Sequence, residues 1–165
     1  MNYPLKISKE EINTLPLYKF DGIVTLIESA EDALSAIEAL AGETVLGFDT
    51  ETRPSFKKGE SYDVSLLQLS TATNAYLFRL NKFPMMAELA DILSNPKIIK
   101  AGVAIKDDVK GLQKLHHFTA GNFVDLAEVA QQQKIVNFGL RALTAIFLKK
   151  RLSKKAKISN WDRQE

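Results

Sequence analysis

TVLGFDTETRPSF, residues 44–56, reads as a buried strand that ends in two acids. Val45, Leu46 and Phe48 are the β-branched and bulky apolar residues that a covered sheet position favours. Asp49 and Glu51 follow, and strand alternation puts residues two apart on one face. Two carboxylates beside an apolar run repel each other and resist desolvation unless a cation sits between them. Hard oxygen ligands at this spacing suit Mg²⁺ or Mn²⁺, the ions of phosphoryl chemistry. Taken alone, such a pair is more often a strand fraying into a solvated acidic loop. The rest of the chain changes that balance.

With 165 residues, 45% hydrophobic and 25% charged, the chain is expected to form one globular domain spanning residues 1–165. No apolar run approaches the roughly 20 residues that cross a bilayer. The N-terminal MNYPLKISKEE lacks the apolar core of a signal peptide, so an intracellular, cytoplasmic location is expected. The absence of cysteine excludes disulfides, thiolate metal sites and a Cys nucleophile. Net charge is +2, but Lys149–Glu165 sets seven basic residues against two acids, +5, leaving −3 elsewhere. A basic end on an acidic body suits a polyanion, and equally a solvated tail. Lys154, Lys155 and Lys157 are the candidate phosphate contacts in it.

Residues 1–20 read as an irregular lead-in, and Ile23–Ile27 as the first strand. Ser29 opens a helix with Asp32 as capping partner, and Gly42 is placed to end it. After the acidic strand, Val64–Leu69 and Ala75–Leu80 leave no room for a helix between them, so they form a hairpin. A helix is expected from the Pro84 first turn to Leu93, broken by Asn95-Pro96. Ile98–Val103 reads as a strand, Lys106–His116 as a helix, and Phe123-Val124 as a short strand. Asp125 is placed to cap the next helix, and a last one starts near Asn137. The order implies an α/β fold, a mixed sheet with an antiparallel side and helices on both faces.

KAGVAIKDDVKGL, residues 100–112, carries two adjacent acids whose roles helical geometry separates. Asp108, Leu112 and Leu115 share one stripe, while Asp107 falls with Lys110 and Lys114. Favourable interaction with the helix dipole explains Asp107. It explains Asp108 less well, because an apolar stripe offers a carboxylate no partner. An inward acid beside the strand of Asp49 and Glu51 is a plausible third member of a metal site.

Together these pieces resemble the DEDD superfamily of 3′–5′ exonucleases, DEDDy type, as in exonuclease domains fused to RecQ-like helicases such as the Werner-syndrome protein. GFDTETRPSF is similar to the first motif, with its acids at Asp49 and Glu51, and KAGVAIKDDVKGL to the second, with its acid at Asp108. VSLLQLST, NFVDLAEVA, GLRALTAIFL and LSKKAKISNWD resemble the intervening segments in order. The resemblance implies a ribonuclease H-like fold and two-metal hydrolysis that releases nucleoside 5′-monophosphates from nucleic-acid 3′ ends. In it Asp49 bridges two Mg²⁺ or Mn²⁺ ions, Glu51 binds one and Asp108 acts through water. Arg53 is placed to touch phosphate, and Phe56 to stack on bases or to pack under its loop.

One departure bears on activity. The family's third motif places a Tyr or His four residues before a fourth acid on a final helix, and nothing downstream of Trp161 matches it. A domain cut short after Ser159-Asn160-Trp161, weak or inactive by itself, is therefore expected. The alternative is an incomplete exonuclease-like module that binds nucleic acid or protein. A haloacid-dehalogenase-type phosphatase also opens with an acid pair, but its second acid is Asp and a strand–helix alternation comes after it. Oligomeric state is not legible.

Overall fold

The structure, a computed structural model, describes residues 2–53 and 56–153. Lys154, Lys155, Lys157, Trp161 and the chain around them lie outside the described residues. Six strands form one sheet in the order β1-β4-β3-β2-β5-β6. They are β1 (Ile23–Ile27), β2 (Val45–Thr52), β3 (Val64–Ser70), β4 (Asn74–Arg79), β5 (Ile99–Gly102) and β6 (Phe123–Asp125). β3 runs antiparallel to both its neighbours, and the other pairings are parallel. The β3–β4 hairpin turns through Thr71–Asn74, where Thr71 Oγ1 accepts from the Asn74 N–H at 3.0 Å.

Helices α2 (Ala30–Leu40), α3 (Ala87–Ser94) and α4 (Lys106–Leu115) each connect strands that step the same way across the sheet. Right-handed crossovers lay all three on one face. Their buried residues, Ala33, Leu40, Leu89, Leu93 and Leu112 among them, form one core with Leu46 and Phe48 of β2. α5 (Leu126–Gln132) and α6 (Leu140–Leu148) build a second core around Ala130, Ile135, Leu143 and Ile146. Val103 packs against it, turned by alternation away from Gly102. Helices therefore stand on both sides of the sheet, but the second group lies near the β5 end and leaves Val24, Leu26 and Val45 exposed. Among the described residues no helix is long and apolar enough to cross a membrane.

Lys100 is wholly buried in β5. Its ammonium donates to the Ile92 and Asn95 carbonyls at 3.1 and 2.8 Å, closing the C-terminal end of α3, and lies 5.2 Å from the centre of the Phe123 ring. Burial pushes its pKa down to about 8.

Three expectations need correction. The lead-in contains a helix, α1 (Lys9–Asn13), whose N-cap Ser8 exchanges bonds with Glu11 in a full capping box. α3 begins at Ala87 rather than at Pro84, because Phe83 and Met85 are both buried and alternate in extended chain. α6 begins at Leu140, since Asn137 is engaged elsewhere, accepting the Ile7 N–H at 2.9 Å.

Candidate active site

β2 is flanked on both sides only as far as Gly47, the last residue paired with β5. From Asp49 to Thr52 it keeps β3 alone, with a register shift between Glu51 and Thr52. β5 leaves the sheet after Gly102 and turns into α4. The divergence opens a crevice at the carboxyl ends of the strands, where sheets of this kind hold ligands.

The turn is tight. A Cβ on Gly102 would stand 2.4 Å from the Phe48 carbonyl oxygen and 2.6 Å from Ile105 Cγ2. It brings the first turn of α4 back against β2, where Thr50 Oγ1 donates a hydrogen bond to Asp108 Oδ1. Asp108 is half-buried and Asp107 exposed, the division the helical stripe implied. Alternation turns Asp49 and Glu51 away from the face of Thr50. Asp108 therefore meets β2 from the opposite side, across the strand's end.

Asp49 Oδ1 accepts the Thr50 N–H at 2.9 Å. The three carboxyls lie close enough to act on one another. Desolvation first, then repulsion from Asp108, hold Asp49 above the usual carboxylate range against the pull of the Thr50 N–H. Desolvation, Asp49 and Asp108 raise Glu51. Asp108 is raised mainly by desolvation, less the hydrogen bond from Thr50. In chemistry the donor set fits a divalent cation: three hard carboxylates, each destabilised as an anion where it stands. Among the described residues, no three acid or histidine side chains are already drawn into a metal-holding cluster.

Beside Asp108 lies a cleft of about 200 Å³ lined in part by Thr50, Thr52, Tyr62 and Lys114. At its rim the Arg53 guanidinium lies 4.4 Å from the centre of the Tyr62 ring. Phe56 is 88% exposed, so it does not pack beneath its loop. Asp125 caps α5 as expected, and also reaches back to the turn before α4. Its Oδ1 accepts from Ala127 and Ala104 at 2.9 and 3.0 Å, and its Oδ2 from Ile105 at 3.2 Å. These N–H bonds outweigh desolvation and hold its pKa below the usual range. Thr50, Tyr62 and the second role of Asp125 escaped the sequence reading. Only Thr50 left a signal, a hydroxyl on the apolar face of a strand.

A family model described as 3′-5′ exonuclease matches residues 24–165. The bifunctional 3′-5′ exonuclease/ATP-dependent helicase WRN of Mus musculus is 30% identical over 159 residues, which cover 90% of this chain and 11% of that protein. The chain thus spans only a small part of the relative it matches. The Aedes aegypti Nibbler EXO domain superposes with a TM-score of 0.76 at 23% identity, covering 86% of this chain and 75% of the other. The catalytic core of RRP6 from Trypanosoma brucei gives 0.79 at 21%, covering 94% and 47%. Both superpositions place the fold among ribonuclease H-like exonuclease folds.

Proposed function

The chain belongs to the 3′-5′ exonuclease family, and on that premise we propose that it hydrolyses phosphodiester bonds at nucleic-acid 3′ ends, releasing nucleoside 5′-monophosphates. The observation that carries the reading is that the open end of β2 sets Asp49 and Glu51 within reach of the Asp108 charge, with burial the main cause that raises all three carboxyls. Asp49, Glu51 and Asp108 would hold Mg²⁺ or Mn²⁺, which when bound supplies charge to offset that developing on phosphorus and the leaving oxygen.

The chain's own residues do the rest. The cleft beside Asp108 receives the terminal residue, with Tyr62 as a wall on which a base can stack. Arg53, exposed at the rim, contacts backbone phosphate, and Phe56 offers an uncovered ring to the incoming strand. Lys114 adds positive charge within the cleft. Lys154, Lys155 and Lys157 extend the phosphate contacts from beyond the described residues.

The fourth acid and its partner Tyr have no match in residues 1–165. A polypeptide of these residues alone is therefore expected to bind Mn²⁺ weakly and cut slowly. The test is a 5′-labelled oligonucleotide with Mn²⁺, given to this polypeptide and to one extended through a Tyr-x-x-x-Asp helix. A ladder shortening from the 3′ end, at least about 100-fold slower after Asp49→Ala, is expected from the extended form. A ladder unaffected by Asp49→Ala would overturn the reading.

A further inference from the structure

Packing does not explain why a hydroxyl stands at position 50. Thr50 follows Leu46 and Phe48 on the same face of β2 and is only 8% exposed. An apolar residue of that shape would fill the place, since a buried hydroxyl costs free energy unless it is bonded. Its hydroxyl donates to Asp108 Oδ1 and, together with the N–H of Asp108 itself, restrains the orientation of that carboxylate.

Nor does helix capping explain all of Asp125. Its bond to Ala127 is the ordinary N-cap of α5. The bonds to Ala104 and Ile105 cross to another element and satisfy two N–H groups at the start of α4, whose own N-cap residue, Ile105, has no capping side chain. Ala104 itself is held at φ 55°, a left-handed conformation that an L-residue adopts only under constraint. A strained turn over-determined in this way sets the helix that leaves it in one place. Asp108 stands in the first turn of that helix, three residues past Ile105.

We propose that Thr50 and Asp125 are positioning residues that hold the Asp108 carboxylate ready for a divalent cation, Thr50 at the carboxylate and Asp125 through the turn that starts α4. The proposal rests on the exonuclease reading, in which Asp108 is a ligand. Groups that orient a ligand are worth about 10–100-fold in metal affinity.

The experiment is a Mn²⁺ titration of metal-stripped protein monitored by electron paramagnetic resonance, with melting in EDTA to confirm folding. Thr50→Val is expected to fold and to bind Mn²⁺ about tenfold more weakly. Thr50→Ser, which restores the donor, is expected to return most of the affinity. Asp125→Asn turns an amide N–H₂ group against the backbone donors and is expected to weaken binding with Thr50 intact. Should Asp125→Asn fail to fold, the Thr50 pair decides. Wild-type affinity in Thr50→Val, with affinity lost in Asp49→Asn and Asp108→Asn, would overturn the positioning role and leave the exonuclease reading standing. Affinity unmoved by Asp49→Asn and Asp108→Asn would overturn both.

Discussion

Asp49, Glu51 and Asp108 make the fold less stable when ionised, and the sign of that effect can be tested. Their carboxyls are raised above the usual range, so the folded state holds protons that the unfolded chain releases. The cost is absent in acid, builds as pH rises from the ordinary carboxylate range, and is complete once pH has passed the raised values. In EDTA at neutral pH, Asp49→Asn is therefore expected to melt above the wild type, by about 1–3 °C because the group remains partly solvated. Near pH 4, where the ordinary Asp side chain is itself half protonated, the gap should close. Adding Mn²⁺ should reverse the order, since only a protein that binds the ion gains stability by mass action. Thermal melts of both proteins with and without Mn²⁺ measure this. A lower apo melting temperature for Asp49→Asn would show that the carboxylate serves the fold.

At the scale of elements, the site depends on how closely α4 folds back on β2, and Gly102 permits that approach. The Phe48 carbonyl is backbone and has no side-chain freedom with which to yield. Gly102→Ala is expected to cost about 1–3 kcal/mol in a denaturant melt, as overpacking does, and to weaken Mn²⁺ binding by moving the helix that carries Asp108. A neutral Gly102→Ala would mean that β5 can shift without disturbing the crevice. Sequence was legible here where one period dominated. The stripe Asp108, Leu112, Leu115 identified the inward acid because Leu112 is wholly buried. The hairpin was implied by the shortness of the link between its strands. Features that sequence did not disclose came from partners far along the chain. Asp125 bonds residues 20 and 21 positions upstream, and Asn137 bonds Ile7 130 positions away. The capping box of α1 was readable in Ser8-Lys9-Glu10-Glu11, but five helical residues are too few to show a period.

Across the whole molecule, the sheet order places the acids centrally, at the end of a strand flanked by an antiparallel neighbour on one side and a parallel one on the other. That geometry gathers negative charge where a polyanion has to be bound, so positive charge must come from elsewhere. The chain up to Leu148 carries a net −3, and Lys149–Glu165 carries +5. If the basic end contacts phosphates, each contact releases condensed counterions, and affinity for single strands falls with salt at a log–log slope of about −0.7 per phosphate. Replacing Lys154, Lys155 and Lys157 together by Gln removes up to three contacts and is expected to flatten the slope by about 2. Arg53→Gln should flatten it by less than about 1, as a single contact. Fluorescence anisotropy of a labelled single-stranded oligonucleotide across a salt series, with Ca²⁺ replacing Mg²⁺ to limit cutting, gives both slopes. Mn²⁺ affinity should be unchanged in the triple variant, because the basic end then serves the strand and not the ions. An unchanged slope would assign Lys154, Lys155 and Lys157 to a solvated tail and leave Arg53 and Lys114 to supply the charge.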